Sequence, residues 1–153
     1  MANEEVVPRF SLKLDEQLCF SLYSASRLIT AAYRPLLNEL GLTYPQYVTM
    51  LVLWERAPVS MRSLGEELGL DYGTLSPLVK RLEVAGLVRR RRRLDDERAV
   101  DVELTEDGQA LRDRAIVIPD QIAELMGLSD RQFASLQKGL QALADNVEAS
   151  LSP

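Results

Sequence analysis

The chain contains no histidine and only one cysteine, Cys19, among its 153 residues. The absence of histidine excludes a Ser-His-Asp triad and a Cys-His catalytic pair, and one cysteine without histidine cannot form the usual zinc sites. A Walker loop and a G-x-G-x-x-G motif are also missing. These absences argue against an enzyme, and we expect neither a metal nor an organic cofactor. Any thiolate or redox chemistry depends on the Cys19 sulfur.

Long hydrophobic runs are absent as well, and the N-terminal run Met1-Ala2-Asn3-Glu4-Glu5 is acidic. Neither secretion nor membrane spanning is therefore indicated. A single unpaired cysteine fits a reducing compartment, so we expect the protein to be cytoplasmic. The length and the 46% hydrophobic content suit one domain, or a small domain with long helical extensions.

The negative charge is unevenly distributed along the chain. The net charge is -5, but the segment from Lys80 to Arg98 carries eight basic and four acidic residues, which makes it +4 and leaves -9 for the remainder. Such asymmetry is typical of a protein with one phosphate-facing patch, although a charge run alone is more often a solvated face.

The first part of the chain has two helical patterns. Apolar residues recur at helical spacing from Leu14 to Leu40, which predicts one long helix ending before Gly41. Pro35 removes an amide donor in the last third of this helix and is expected to bend or loosen it. The run Thr43-Tyr44-Pro45-Gln46 has the pattern of a capping box with proline at the first helical position, and it predicts a second helix that Pro58 closes.

Two shorter helices follow, joined by a glycine-bearing turn. Ser60 is the expected N-cap of the first, with Leu64 and Leu68 facing inward. The second helix follows the turn at 69–73 and stops at Gly86. Its apolar residues have the spacing i, i+3, i+4 and i+7 and are Leu75, Leu78, Val79 and Leu82. The pair predicts a helix-turn-helix.

After Gly86 the hydrophobic period changes to two. Leu87 and Val88 begin one predicted strand, and the alternation at 99–104 predicts a second, with a turn at 94–97. Arginines occupy both faces of the first strand, which no buried strand tolerates. The hairpin is therefore predicted to project into solvent as a wing.

The remainder is predicted to be helical. Thr105-Glu106-Asp107 caps a fifth helix, which Pro119 bends or ends, and the run 129–132 forms a second capping box. The last helix carries an apolar stripe of Phe133, Leu136, Leu140, Leu143 and Val147. The predicted fold class is mainly α with a small β wing.

This order of elements resembles the winged-helix regulators of the MarR family. Three runs are similar to that family's recognition helix, to the D-x-R of its wing and to its strand-to-helix junction: Asp71-Tyr72-Gly73-Thr74-Leu75-Ser76-Pro77-Leu78-Val79-Lys80-Arg81-Leu82-Glu83, Asp96-Glu97-Arg98 and Leu104-Thr105-Glu106-Asp107-Gly108. Within the family, three further runs look like the organic-hydroperoxide-sensing OhrR branch of the one-cysteine type: Leu18-Cys19-Phe20, Tyr33-Arg34-Pro35-Leu36-Leu37 and Leu42-Thr43-Tyr44-Pro45-Gln46-Tyr47.

The resemblance implies a homodimeric repressor that binds operator DNA. The cysteine of such a repressor is oxidised by organic hydroperoxides. The resemblance also implies tyrosines hydrogen-bonded to the sulfur, which by motif are Tyr33 and Tyr44. Helix geometry adds that Cys19 and Tyr33 are about 21 Å apart along a continuous helix, so Tyr33 can reach the sulfur only from the partner chain. Tyr23, one turn after Cys19, can lie beside it in the same chain.

The chain departs from the family pattern at two places. Part of the branch has a second cysteine near the C-terminal helices, and the run 125–129 has none. Oxidised Cys19 is therefore expected to condense with a small cellular thiol or to be over-oxidised. Tyr72 stands where the family usually has the smaller serine, so the details of base readout cannot be carried over from the family. Four apolar residues suit either an organic peroxide or an ordinary core: Phe20, Leu22, Met50 and Trp54.

The two recognition helices of the dimer are expected to enter successive major grooves of an inverted-repeat operator. The side chains expected at base edges or phosphates are Asp71, Tyr72, Thr74 and Ser76, with Lys80 and Arg81 on the DNA backbone. Arg98 is expected in the minor groove, with Asp96 orienting it. Further phosphate contacts are expected from Arg89, Arg90, Arg91, Arg92 and Arg93.

We therefore predict three parts: an N-terminal arm and dimerisation helix (1–45), a winged helix-turn-helix (46–104) and C-terminal dimerisation helices (105–153). Three alternatives stay open. The nearest is a MarR-type regulator released by a small phenolic or aromatic-acid ligand. A thiol peroxidase is disfavoured because Glu16 stands where the T-x-x-C motif needs threonine. A plain dimerisation module is the structural alternative.

Overall fold

The computed structural model describes residues 11–96 and 99–151. Within these ranges the chain forms a 3-10 turn at Leu14–Glu16, seven α-helices and three short strands. In chain order these are α1 (Leu18–Leu40), α2 (Tyr44–Arg56), β1 (Val59–Ser60), α3 (Met61–Leu68), α4 (Tyr72–Val84), β2 (Val88–Arg92), β3 (Val100–Leu104), α5 (Glu106–Ala115), α6 (Ile118–Met126) and α7 (Asp130–Leu151). The predicted class, mainly α with a small wing, is confirmed.

Helix α1 begins four residues later than its hydrophobic spacing predicts. Gln17 has an extended backbone (φ -88, ψ 109) and separates the 3-10 turn from the helix. Its side-chain amide donates to the carbonyls of Ser11 (2.7 Å) and Lys13 (3.0 Å), which holds the preceding segment against the helix start. The prediction of a single helix from Leu14 is therefore wrong at its N-terminal end.

Pro35 lies inside α1, and the helix continues through it. Proline lacks the N–H that would bond to the carbonyl of Ala31. Both residues are exposed, so water can satisfy that carbonyl. Helix α1 ends where predicted, at Gly41, whose φ of 68° lies in the left-handed region that glycine adopts without a steric penalty.

The C-terminal end of α1 is bonded to α5. The Arg114 guanidinium donates to the carbonyl of Glu39 at 2.6 Å. Carbonyls in the last turn of a helix lack helical donors and carry partial negative charge, so a cation is favourable there. This bond joins two helices whose residues are 75 positions apart in the chain.

The capping box of α2 is present as predicted. The Gln46 amide N–H donates to Thr43 Oγ1, and the Thr43 N–H donates to Gln46 Oε1. Tyr44 rather than Pro45 is the first helical residue, so the proline occupies the second position, where its missing N–H again costs no helical bond. Thr49 is buried, and its hydroxyl donates to the carbonyl of Pro45 at 2.8 Å.

Helices α3 and α4 form the predicted helix-turn-helix. Ser60 caps α3, and Asp71 caps α4. Helix α4 packs against α2, α3 and β2 through the predicted stripe, in which every side chain is buried: Leu75, Leu78, Val79 and Leu82. Leu64 is fully buried, while Leu68 is only half-buried.

The wing belongs to a three-stranded antiparallel sheet in the order β1-β3-β2. In the predicted hairpin, Val88 pairs with Leu104 and Arg92 pairs with Val100. Strand β1 pairs Val59 with Val102 and was not predicted, because two residues are too few for a readable alternation. Only Val88 is buried in β2, and the arginines that follow it are exposed.

Gly108 lies where α5 crosses the connection into β2. Its carbonyl accepts a hydrogen bond from the Trp54 indole at 2.8 Å. A Cβ built on Gly108 would lie 1.9 Å from the carbonyl oxygen of Leu87 and 2.9 Å from its carbonyl carbon. The Thr105 N–H donates to that same Leu87 oxygen at 3.1 Å. Only glycine therefore fits at this crossing.

The predicted fifth helix is two helices. Helix α5 ends at Ala115, and Pro119 lies in the first turn of α6, where a proline without an N–H is tolerated. Ser129 and Gln132 form the second capping box, as predicted. In the described residues, the helices α1 to α5 and the strands belong to one compact unit, and α6 and α7 belong to a second. No helix within the described ranges is long and apolar enough to cross a bilayer.

Replacing Gly108 with alanine is expected to destabilise the fold by about 1–3 kcal/mol, the usual cost of overpacking. The added methyl group meets backbone atoms of Leu87, which cannot rotate away as a side chain would. The measurement is urea unfolding of the wild type and the variant. Gln109→Ala, at the exposed neighbouring position of α5, is the control and should be close to neutral. Equal midpoints for both variants would contradict the close approach.

Candidate DNA-binding surface and redox cysteine

The N-terminus of α4 is held by Asp71. Its Oδ1 accepts from the Thr74 N–H at 2.9 Å, and its Oδ2 accepts from the Thr74 hydroxyl at 3.1 Å. These bonds hold the pKa of the Asp71 carboxyl below its usual value. Asp71 therefore caps the helix, and a contact from it to a base stays a prediction. The Thr74 hydroxyl donates to Asp71 and keeps its oxygen free to accept.

The face of α4 opposite the core is polar and exposed. Tyr72, the first helical residue, is 67% exposed. Lys80 and Arg81 are exposed further along the helix, and Ser76 is half-buried. Because the other face is fixed in the core, these side chains are directed away from it, and their contact with a major groove stays a prediction.

The five arginines at 89–93, four in β2 and one directly after it, fall into two groups. Arg90 is bonded to Glu83, Arg91 to Glu103 (3.4 Å) and Arg93 to Asp101 (3.1 Å). Arg89 and Arg92 are exposed and form no ion pair with any residue in the described ranges. The uncompensated positive charge of the run 89–93 is therefore concentrated on two of its five arginines.

The tip of the hairpin is described only in part. Asp96 is exposed. Arg98, the residue predicted for the minor groove, lies outside the described residues, and so does the contact by which Asp96 was expected to orient it. Both remain predictions.

The Glu83 carboxylate joins α4 to the wing. Its Oε1 accepts from the Arg90 backbone N–H at 3.0 Å, and its Oε2 accepts from Nε (3.0 Å) and Nη2 (2.8 Å) of the same residue. The backbone bond and the guanidinium together hold the pKa of the Glu83 carboxyl below its usual value. Neither residue was a candidate for this contact from the sequence.

Cys19 is exposed and lies in the first turn of α1. Backbone N–H groups without helical partners make such a position favourable for an anion. Within the described residues, no hydrogen bond reaches the Cys19 sulfur. Tyr23, one turn later, is 59% exposed, and its ring lies 5.4 Å from the Arg27 guanidinium carbon. The sulfur is thus accessible, and the Tyr23 hydroxyl makes no hydrogen bond with any described residue.

Two of the three predicted tyrosines lie together, with a third that was not predicted. The ring centroids of Tyr33 and Tyr44 are 4.9 Å apart, and those of Tyr33 and Tyr47 are 5.7 Å apart. Burial, followed by the neighbouring phenols, raises the pKa of Tyr47 to about 12, and burial and Tyr44 raise the pKa of Tyr33. These hydroxyls therefore stay protonated at neutral pH. Tyr47 follows Tyr44 at helical i+3 spacing, which is the signal that identifies it.

The structure does not bring Cys19 to this cluster within one chain. Because α1 is continuous from Cys19 to Tyr33, the two residues are separated by about 21 Å of helical rise. A hydrogen bond needs a separation near 3 Å. Only a second chain can place the Tyr33 phenol at the sulfur.

The four apolar residues proposed beside the cysteine lie in two different environments. Met50 is fully buried in the core, and Trp54 bonds to Gly108, so the ordinary-core interpretation holds for both. Phe20 is 41% exposed and Leu22 is half-buried, both on α1. In the part of the chain that the structure describes, no three Cys, Asp or Glu side chains are grouped to hold a metal ion.

Exposed large apolar side chains are concentrated on two helices. On α1 and the turn before it, the exposed residues are Leu14, Leu18, Phe20, Tyr23 and Leu28. On α7 the predicted stripe is exposed or half-exposed, and it includes Phe133, Leu136, Leu140, Val147 and Leu151. Large apolar patches on a chain of this size mark association surfaces.

Comparisons with known proteins agree with this architecture. The family profile described as "Transcriptional regulator SarA/Rot" matches residues 31–115. The "Organic hydroperoxide resistance transcriptional regulator" of Bacillus subtilis is 44% identical over 136 residues, which are 89% of this chain and 92% of that protein.

Solved structures are similar over most of the chain. "Structure of reduced AbfR bound to DNA" matches with a TM-score of 0.79 and 33% identity, covering 91% of this chain and 95% of that one. "Crystal structure of AbfR of Staphylococcus epidermidis" matches with a TM-score of 0.73 and 36% identity, covering 88% and 94%.

Replacing Arg92 with glutamine is expected to weaken binding to duplex DNA and to make it less sensitive to salt. Arg92 is exposed and has no carboxylate partner in the described ranges, so it is free for a phosphate. Each lost contact lowers the slope of log K against log salt by about 1 per subunit. The measurement is DNA affinity by fluorescence anisotropy over a series of salt concentrations.

The matched control is Arg112→Gln, which removes the same charge from the exposed side of α5. Its salt slope should equal that of the wild type. The assignment of Arg92 to the DNA-binding surface fails if the two variants have the same slope.

Proposed function

The chain belongs to the MarR family of winged-helix transcriptional regulators, and from this premise we propose that it is a dimeric repressor released from its operator when organic hydroperoxides oxidise Cys19. The observation that carries the proposal is the accessible sulfur of Cys19 in the first turn of α1. It is the only cysteine of a chain that is similar to a regulator of organic hydroperoxide resistance.

The exposed face of α4 supports operator binding by a dimer. Two copies of this helix, held about 34–36 Å apart, enter successive major grooves of an inverted repeat. Tyr72, Thr74 and Ser76 face the base edges, and Lys80 and Arg81 contact the backbone. The unpaired arginines of β2 add phosphate contacts beside them, with Arg98 in the minor groove.

Dimerisation is supported by the exposed apolar side chains of α1 and of the stripe on α7. A solvated monomer would leave these side chains in water, at about 25 cal/mol for each Å² of apolar surface. Covering the N-terminal part of α1 with a second chain buries the residues around Cys19. The sulfur then lies where the helices of two subunits meet.

The partner chain also supplies the phenols. The cluster of Tyr33 and Tyr44 is out of reach within one subunit, so Cys19 is served by Tyr33 of the partner subunit, with Tyr23 of its own chain one turn away. The Tyr33 phenol acts as a donor, since burial raises its pKa and keeps it protonated. A donor to sulfur stabilises the thiolate, which is the reactive form.

One cysteine per chain is sufficient for the reaction with a hydroperoxide. The Cys19 thiolate attacks one oxygen of the hydroperoxide, the O–O bond breaks, and the leaving alkoxide takes a proton to become an alcohol. The product is a sulfenic acid. A small thiol then attacks the sulfur, and water leaves as a mixed disulfide forms. Further peroxide instead oxidises the sulfenic acid to the sulfinic acid.

Oxidation acts on DNA binding through the subunit arrangement. A capped sulfur adds bulk and polarity at the point where α1 meets the partner, which favours a different spacing of the two α4 helices. A hundredfold loss of affinity requires about 2.8 kcal/mol of difference between the two arrangements. That is the size of a few lost contacts.

Cys19→Ser is expected to bind the operator as tightly as the wild type and to remain bound in the presence of cumene hydroperoxide. Serine is close to cysteine in size but forms no sulfenic acid. The measurement is a mobility shift of operator DNA with reduced and peroxide-treated protein, together with the mass of the treated chain.

The control moves the thiol along the same helix. Cys19→Ser combined with Ser21→Cys keeps one exposed thiol on α1 but places it on another face. This protein should be oxidised without releasing DNA. Peroxide-driven release that persists in Cys19→Ser would refute the sensor, and release by phenolic acids alone would favour a ligand-operated regulator.

Mixed dimers test whether the site is shared between subunits. A dimer of one Cys19→Ser chain and one Tyr33→Phe chain retains one cysteine facing an intact tyrosine of the other subunit. A dimer with both substitutions on one chain and none on the other has its only cysteine facing phenylalanine. We expect oxidation of the second dimer to be slower by about tenfold or more, because a hydrogen bond to a charged group contributes about 1.5–3 kcal/mol.

The measurement is the rate at which cumene hydroperoxide consumes the remaining thiol in heterodimers purified by two different tags. The reverse order of the two rates would place the cysteine and the tyrosine of one site in the same chain. Equal rates would remove Tyr33 from the site.

A further inference from the structure

Glu83 is the only acidic residue within α4, and it lies in the last turn of that helix. Carbonyls at a helix C-terminus carry partial negative charge, so an acid there is unfavourable. A carboxylate on a DNA-reading helix is also repelled by phosphates. The Glu83 carboxylate is therefore unfavourable both at the helix C-terminus and near DNA, so its presence calls for a compensating interaction.

The Glu83 side chain is directed at the wing rather than at solvent. It accepts three hydrogen bonds from a single residue, Arg90, one from the backbone and two from the guanidinium. Both side chains are about one-third exposed, at 33% and 31%. The backbone bond fixes the position of strand β2, and the two guanidinium bonds fix the direction of the Arg90 side chain.

Two further ion pairs between described residues of the wing connect strands of the sheet to one another. Arg91 with Glu103 and Arg93 with Asp101 both join β2, or the residue after it, to β3. Glu83 with Arg90 is the one wing ion pair in the described ranges that reaches α4. The chain itself links α4 to β2 through three residues, in which Gly86 has a φ of 76°.

We propose that Glu83 is a positioning residue that fixes the wing relative to the recognition helix, so that both meet the same DNA duplex at once. The inference rests on the DNA-binding part of the function above and is independent of Cys19.

A fixed wing raises affinity because the second contact then forms without a further loss of orientational freedom. When the wing is free to move, forming its phosphate contacts costs orientational freedom, and the affinity is lower. Electrostatics alone predicts the opposite result, since removal of a carboxylate near DNA strengthens binding. The sign of the change in affinity therefore separates the two effects.

The test compares Glu83→Ala, Glu83→Gln and the control Glu103→Gln on a duplex selected by the wild-type protein from a random library. The reduced protein is used throughout, so the outcome does not depend on the hydroperoxide response. Glu83→Ala should raise Kd about fivefold. Glu83→Gln should fall between it and the wild type, because its amide oxygen still accepts from the Arg90 N–H. Glu103→Gln, which removes the same charge from a pair within the sheet, should bind as tightly as the wild type or more tightly.

Hydroxyl-radical footprinting separates loss of wing positioning from a general loss of structure, because it reports the wing contacts and the α4 contacts separately. In Glu83→Ala the protection made by the wing should fade while the protection made by α4 persists, and the salt slope should decrease. Thermal unfolding shows whether each variant is folded. If Glu83→Ala is unfolded, the footprint and affinity of Glu83→Gln are used in its place. Unchanged or tighter binding with a complete footprint would overturn the proposal, as would a uniform loss of all protections.

Discussion

The burial of one face of α4 determines what the rest of the surface can do. Four aliphatic side chains of this helix pack against α2, α3 and β2, and each contributes about 1.5–3 kcal/mol. This packing leaves the helix no freedom to rotate about its axis. The polar face is therefore fixed in direction, with Tyr72 at its start and Arg81 near its end, as a reading helix requires.

The helices could be predicted because their signals are local. The period of 3.6 identified the buried residues of α4, and the capping boxes at Thr43 and Ser129 marked two helix starts. The errors have causes that the hydrophobic period does not report. The late start of α1 depends on the side-chain bonds of Gln17, and β1 exists only because Val59 finds a partner in β3. Neither interaction leaves a periodic trace in the sequence.

The candidate site was predictable in its residue types and less so in its connections. The distance along α1 separates Cys19 from Tyr33 whatever the tertiary structure, so that conclusion followed from counting residues. The pairing of the wing arginines did not, because Arg91 and Arg93 meet carboxylates whose positions depend on the strand register. The sequence shows a run of five like charges, and only the fold shows that three of them are compensated.

The length of α1 has a mechanical consequence. With 23 residues the helix is about 35 Å long, so a tilt of about 5° about its N-terminal end displaces the opposite end by about 3 Å. That opposite end is bonded to Arg114 of α5, the helix that directly follows β3. Helix α1 thus carries the thiol at one end, and its other end is bonded to the helix that follows the wing. A small angular change beside the sulfur becomes a displacement as large as a hydrogen bond is long.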